Sequence, residues 1–303
     1  MPDASGPLQV TGQVLGNGPA GAYRMLTVAA PGIAARFRPG QFVALAVGGE
    51  HSAMLARRAF SIHDTVTNGS AEGFRIVFAV HGRGTAWLAG LGPGDPLDAV
   101  GPLGQPFTLS SGYPASAEDF PSYSLHDLPR ERASGRCVLV GGGYGSAPLF
   151  ALADRLRRHG CSVDFVLGAS SADRVFGADR ARRTGTSTTV TTVDGSLGER
   201  GVVTDVLPPL LAGAGAVYAC GPMAMLRAVT GAASEYGVPA QVAVEESMAC
   251  GIGVCMTCVL PVVGDDGVTR MTRCCIDGPV FSGDAVRWQD IGTVPEDAVG
   301  ART

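Results

Sequence analysis

From residue 8 to about 109, apolar and polar positions alternate in short stretches (AYRMLTVAA, QFVALAV, RRAFSIHD, FRIVFAV and PLDAVGPLG) separated by Gly, Pro and Asn turns. Successive side chains of a strand point to opposite faces, so this alternation predicts strands with one buried face. Several such strands at close spacing, without a long helical period, predict an antiparallel barrel or sandwich. One short helix is predicted at GTAWLAGL.

At residue 136 the texture changes. RCVLVGGG, SVDFVLGA and AVYACG read as strands, while APLFALADRLRRHG and PMAMLRAVTGAASEYG read as helices. Leu149, Phe150, Leu152, Ala153 and Leu156 fall on one helical face, and Gly160 follows as a stop. This alternation predicts a doubly wound α/β domain over 136–239, a parallel sheet with helices on both faces. Residues 110–135, rich in Ser, Pro and charge, are the expected linker behind a first domain of 1–109. A segment over 240–287 holds five of the eight cysteines, and the polar stretch 288–303 is expected to fray.

A chain of 303 residues has room for more than one core. Charged residues are 17% of it and the net charge is −4, so it lacks the basic field that nucleic acid or an anionic membrane surface would require. No window approaches the roughly 18 uninterrupted apolar residues of a membrane span. The first residues, MPDASGPLQV, lack the basic and apolar regions of a secretion signal, so a cytoplasmic location is expected. Thiols stay reduced there, and clustered ones bind metal or do redox work more often than they form a disulfide framework.

The densest cluster is MACGIGVCMTC, residues 248–258. Structural zinc wants two C-x2-C pairs, or one pair with two distant histidines. This chain has a single C-x2-C, and His51, His63, His81, His126 and His159 all lie upstream without ligand spacing. C-x4-C-x2-C with a remote fourth cysteine is the spacing of plant-type [2Fe-2S] ferredoxins. Cys250, Cys255 and Cys258 fit it, and Gly251 and Gly253 permit the left-handed backbone that turns N–H groups toward the sulfurs. For the fourth ligand the spacing leaves Cys274 and Cys275 as alternatives, since neighbours on an extended segment point opposite ways.

VLVGGGYGSAP runs from a strand into a helix, so Gly141, Gly142, Gly143, Tyr144, Gly145, Ser146, Ala147 and Pro148 can bring backbone amides to a pyrophosphate. No acidic residue ends the next strand to hold a ribose hydroxyl, and only Arg174 offers a basic substitute. NADH against NADPH therefore stays open. Cys220, Gly221 and Pro222 form a second turn at the carboxyl edge of the same sheet. In the first domain RRAFSI puts Arg58 and Ser61 on one strand and HGRGTAW makes a tight turn, a combination suited to a dinucleotide phosphate. Glu245 and Glu246 read as solvated charges or a helix start.

Taken in order, RAFS, GRGT, GGGYGSAP, CGP and C-x4-C-x2-C with a last Cys before DGPVF resemble the ferredoxin-reductase-like flavoproteins, most closely the electron-transfer subunits of NAD-dependent dihydroorotate dehydrogenase. The resemblance runs from the first strands to DGPVFSG and leaves out the linker and the tail. It implies a multi-domain fold: an FAD-binding antiparallel β-barrel over 1–109, an NAD-binding α/β domain over 136–239 and a small C-terminal [2Fe-2S] domain over 240–287. Arg58, Ala59, Phe60 and Ser61 would line the flavin, Gly84 and Thr85 its phosphate side, and Val77, Phe78 and Ala79 would touch the FAD. The turns at 143–148 and 220–222 would flank the nicotinamide, with Ser61 and Cys220 as catalytic residues. The fourth cluster ligand would be Cys275, three residues before Gly-Pro-Val-Phe, with Cys274 spare.

The implied activity needs a partner. An FMN-containing catalytic subunit, in a heterotetramer of two of each, would oxidise dihydroorotate to orotate in pyrimidine biosynthesis. Electrons would pass singly through the [2Fe-2S] cluster, be paired on FAD, and leave as hydride to NAD+. A free-standing NAD(P)H reductase serving a ferredoxin or an oxygenase would share the FAD and the cluster. A non-catalytic module with a four-thiolate zinc site is the reading from a different class.

Overall fold

The computed structural model of the chain describes residues 6–49, 52–68, 71–109 and 135–301, so all but the last residue of the expected linker lies outside them. Six strands close a barrel: β1 (Leu8–Ala20), β2 (Tyr23–Ala29), β3 (Phe42–Leu45), β4 (Arg58–Asn68), β5 (Ala71–Phe78) and β6 (Pro96–Leu103). Their order is β1-β2-β5-β4-β3-β6, and every neighbouring pair is antiparallel. The alternation seen in the sequence is the inside and outside of this wall, with Val14, Leu26, Val28, Ile62, Phe74, Ile76 and Leu97 filling the core. Between barrel or sandwich, closure decides for the barrel and leaves no sheet edge exposed. Two short helices accompany it, α1 (Ile33–Arg36) and α2 (Arg83–Ala89), the second at the predicted GTAWLAGL.

The second domain is a sheet of β7 (Arg136–Gly142), β8 (Ser162–Ala169), β9 (Ser187–Thr192), β10 (Glu199–Arg200), β11 (Ala216–Cys220) and β12 (Ala240–Ala243), all parallel, in the order β10-β9-β8-β7-β11-β12. Helices α3 (Leu149–Arg158), α4 (Ala178–Thr184), α5 (Pro208–Leu211) and α6 (Met223–Glu235) connect the strands. The predicted stripe of α3 is wholly buried. Each of its large side chains stabilises the fold by roughly 1.5–3 kcal/mol on transfer from water. Leu226, Val229 and Ala233 of α6 pack in a separate core from α3, which covers both faces of the sheet. The chain runs from β7 outward to β10 and then returns to β11, so strand order reverses between β7 and β11, where crevices for ligands open in such sheets.

Two expectations change. The division at 240 cuts through the sheet, because β12 pairs in parallel with β11, and β15 (Val280–Ser282) returns as an antiparallel edge strand. The cysteine segment, with its hairpin β13 (Val259–Val263) and β14 (Thr269–Arg273), is therefore carried between two strands of the nucleotide sheet. The tail does not fray over its described length. The Val299 N–H donates to the Thr269 carbonyl at 2.9 Å, Ala298 is buried, and Arg287 holds both Asp290 and Asp297. Polar composition hid these long-range ties. No helix among the described residues is long and apolar enough to cross a membrane.

Candidate active site

β4 and β5 are neighbours in the barrel, which sets RAFS beside VFA. Ala59, Phe60 and Ser61 from one, and Val77, Phe78 and Ala79 from the other, line a cavity of about 250 Å³. Thr85 and the 144–148 turn contribute Tyr144, Gly145, Ala147 and Pro148 to the same walls. The Thr85 hydroxyl accepts the N–H groups of His81 and Gly82 at 2.9 and 3.1 Å, which holds the GRGT turn in shape. Arg58 and Gly84 are not part of the lining, but they lie together: a Cβ on Gly84 would stand 3.2 Å from Arg58 Nε. Apolar walls with a few placed polar groups at the edge suit a flat ring with a charged tail, so the residues fit FAD.

A second cleft, of about 510 Å³, opens where the strand order reverses, lined by Gly142, Gly143, Tyr144, Gly145 and Pro222 from the two turns. The turns touch: a Cβ on Gly145 would lie 2.7 Å from Gly221 Cα, so only glycine lets the backbones approach this closely. Gly141 is packed against Ser146, whose hydroxyl donates to the Gly143 carbonyl at 2.8 Å and fixes the loop. This bare backbone above a helix start fits a nucleotide pyrophosphate. Tyr144, Gly145 and Glu245 line both cavities, so ligands in the two would meet there.

Cys220 differs from the expectation. It is buried and lines neither cavity, because it ends a central strand and its side chain packs in the core with Leu139 and Ala147. Burial, with the Glu245 charge second, pushes its thiol well above the usual range. Of the two readings of Glu245 and Glu246, the helix start fails, since neither begins a helix, whereas Glu245 is exposed as a solvated charge and both line the flavin-side cavity. Glu245 keeps contact with solvent, yet the cleft walls strip enough water from its carboxyl to raise its pKa. Sequence reading passed over Tyr23, whose hydroxyl donates to the Arg174 carbonyl at 2.9 Å and whose ring meets Tyr144 edge-on at 5.2 Å. Tyr23 carries no local signal, since its partners are more than a hundred residues away. Arg174 does line the nucleotide cleft, together with Ser170.

Beyond Glu246 the chain enters the cysteine loop. Gly251 and Gly253 have φ of 71° and 80°, the left-handed curl expected of them. The curl aims the Gly253 N–H at Cys275 Sγ, 3.1 Å away, and the Val254 N–H at Cys250 Sγ, 3.3 Å away. The thiols lie in two neighbouring pairs that influence each other's titration, Cys250 with Cys255 and Cys258 with Cys275. The Thr257 hydroxyl and N–H hold the exposed Cys255 thiol down to about 6, whereas burial, and then Cys258, push Cys275 up to about 12. Cys274 is buried and its thiol is raised chiefly by burial, with its own backbone N–H pulling weakly the other way. Among the described residues no three His, Cys, Asp or Glu side chains gather as a single ion would require. Two thiol pairs with N–H groups turned onto their sulfurs fit the donor chemistry of a two-iron cluster.

Cavity and loop adjoin. Met248 lines the flavin-side cavity two residues before Cys250, and a Cβ on Gly251 would lie 3.4 Å from Ala44 and 3.7 Å from Phe42, itself a cavity residue. Phe42, Ala44 and Leu103 of the barrel share one core with Cys258, Cys274 and Cys275.

Comparison with known proteins agrees with this construction. Residues 245–287 match the iron-sulfur cluster binding domain of dihydroorotate dehydrogenase B. Among solved structures, a chain of the NADH-dependent reduced ferredoxin-NADP oxidoreductase is similar with a TM-score of 0.74 and 29% identity, covering 93% of this chain and 91% of that one. Fold and site define a ferredoxin-reductase-like oxidoreductase that uses FAD, NAD and an iron–sulfur cluster. The chain is 35% identical over 247 residues to the dihydroorotate dehydrogenase B (NAD(+)) electron transfer subunit of Fusobacterium nucleatum, covering 80% of this chain and 84% of that protein. To the corresponding subunit of Bacillus caldolyticus it is 37% identical over 244 residues, with the same coverage. The chain belongs to the family of dihydroorotate dehydrogenase B electron transfer subunits.

Proposed function

We propose that this chain works in the cytoplasm beside an FMN-containing catalytic subunit, two of each in a heterotetramer, and carries the electrons of dihydroorotate oxidation to NAD+. The observation that carries the reading is the continuity from thiol loop to flavin-side cavity to nucleotide cleft, joined at Met248, Phe42, Tyr144 and Glu245. When bound, the cluster supplies one-electron transfer and FAD the conversion between one-electron and two-electron carriers. Cys250, Cys255, Cys258 and Cys275 hold the cluster, and the Gly253 and Val254 N–H groups stabilise its charge. Ala59, Phe60, Ser61, Val77, Phe78 and Ala79 hold the flavin ring, with Arg58, Gly84 and Thr85 on the phosphate side. The 141–148 and 220–222 turns would hold the nucleotide, and Tyr144 lines both cavities.

Ile252, Val254 and Met256, alternate residues of the thiol loop, are half or more exposed. An apolar rim around a redox loop supports the partner docking there. None of the eight cysteines, all of them described, is joined in a disulfide, which suits a reducing compartment.

The test is the visible spectrum of anaerobically purified protein with metal analysis, followed by turnover with and without the FMN subunit. Flavin bands, about two irons per chain, and dihydroorotate-dependent NAD+ reduction only with the partner are expected. Dihydroorotate oxidation by the isolated chain, or a colourless zinc protein, would overturn the reading.

A further inference from the structure

Two residues past the cavity-lining Ser61, His63 occupies the extra position of a β-bulge. Ile62 faces Ile76 and Asp64 faces Arg75, so two steps on β4 match one on β5. A bulge re-aims the side chain that it carries. Here the ring leaves the barrel and enters the junction with the nucleotide domain, 2% exposed, edge-on to Phe150 and Phe176 at 5.6 and 5.5 Å.

Both ring nitrogens are engaged. Nδ1 lies 2.6 Å from the Ala147 carbonyl oxygen, and Nε2 lies 2.9 Å from Nη1 of Arg180. A guanidinium can only donate, so Nε2 accepts. The single proton of the neutral ring then sits on Nδ1 and is donated to Ala147. Burial, the largest influence, lowers the pKa of the ring and keeps it neutral. Arg180 is fixed in turn by Asp64 at 2.7 Å and Asp154 at 3.0 Å, and Asp64 is also held by Arg75.

The far end of this chain of contacts is the nucleotide turn. Ala147 lines the flavin-side cavity, and its own N–H donates to the Tyr144 carbonyl at 3.0 Å. One imidazole therefore ties the strand that carries Ser61 to the turn that carries Tyr144, the residue common to both cavities.

We propose that His63 is a positioning residue: through Nδ1–H and the Ala147 carbonyl it sets the distance between the nucleotide turn and the flavin-bearing strand, and so sets the rate of hydride transfer without adding to nucleotide affinity. The proposal rests on the reading that NAD and FAD exchange a hydride in this cleft. In the direction assayed, NADH loses one hydride, two electrons with a proton, and becomes NAD+. The oxidised flavin takes up that hydride and one further proton from water.

The test uses the full chain loaded with FAD, as wild type, His63→Leu and His63→Asn, mixed anaerobically with NADH over a range of concentrations. The leucine lacks a donor, so its limiting rate of flavin reduction should fall about tenfold or more, a misplacement of 1 Å being worth on the order of 10²-fold. The NADH concentration for half the limiting rate should stay within about twofold, the signature of a transition-state effect alone. The Asn amide replaces the Nδ1 donor and should restore most of the rate. Independently of activity, backbone amides of 141–148 should exchange with solvent faster in the leucine variant and as in wild type in the asparagine variant. An unchanged limiting rate in His63→Leu, a loss confined to NADH affinity, or no rescue by asparagine overturns the proposal. If the leucine variant does not fold, His63→Phe decides instead: its ring keeps the bulk between Phe150 and Phe176 but has no donor for the Ala147 carbonyl, so the limiting rate must fall with affinity retained, and an unchanged rate overturns the proposal. If wild type itself is not reduced by NADH, the hydride reading fails, and the exchange measurement still decides the role of His63.

Discussion

Gly145 is the tightest point of the nucleotide cleft, and Gly145→Ala tests whether the two glycine turns act as one device. The added Cβ would stand 2.7 Å from Gly221 Cα, 3.0 Å from Gly221 N and 3.1 Å from the Cys220 carbonyl oxygen. All three are backbone atoms of the opposite turn, so no side chain can rotate away. Carbon atoms in contact prefer about 3.5–4.0 Å, so the turns must part by roughly 1 Å. Overpacking of this kind costs about 1–3 kcal/mol. For a domain of this size class each kcal/mol lowers the melting midpoint by about 2–4 °C. The functional loss should be larger than the loss of stability, because a 1 Å displacement of a reacting group costs on the order of 10²-fold in rate. Thermal unfolding followed by flavin fluorescence, with stopped-flow reduction of the flavin by NADH, measures both. A variant that melts as wild type does and is reduced at the wild-type rate would show that the turns are not in register contact, and the account of the cleft would be wrong.

Two further predictions follow from the described contacts. Cys275→Ser should abolish the iron content while flavin is retained, because the Gly253 N–H is directed at the Cys275 sulfur, whereas Cys274→Ser should keep about two irons per chain. Metal analysis of the two variants decides, and the reverse pattern would exchange the two assignments. The junction should also weaken in acid. Burial holds the pKa of His63 low, so its contribution is complete above the ordinary histidine value of about 6.5 and is lost as pH falls below it. Asp64 is pulled up by burial but more strongly down by its hydrogen bonds from Arg75 and Arg180 and by its charged neighbours, so its contribution is complete above about 3.9 and is lost below that. Denaturant unfolding between about pH 7 and 5 should show stability falling in wild type, and falling less steeply in His63→Asn; equal slopes would exclude His63 as the titrating group.

Much of the architecture was legible because it depends on local periodicity. The stripe Leu149, Phe150, Leu152, Ala153, Leu156 marks α3 wherever that helix packs, and C-x4-C-x2-C with Gly251 and Gly253 describes a loop whose curl is local. What stayed hidden joins distant segments. That β12 and β15 frame the cysteine segment within the nucleotide sheet depends on pairings such as Val242 with Phe281. That Val299 is tied to Thr269 cannot be seen in a polar tail.

The site divides along the same line. Residue types and spacing by themselves determined the chemistry available: thiols for iron, bare glycine backbone for phosphate, and a strand bearing Arg58 and Ser61 for the flavin, since these follow from covalent structure and short-range geometry. Tertiary structure alone decided which of those groups are reachable. It withdrew Cys220 into the core, brought Glu245 to the meeting point of two cavities, and turned His63 out of the barrel onto Ala147. Burial and long-range contact are properties of the packed chain as a whole, and no short stretch of sequence specifies them.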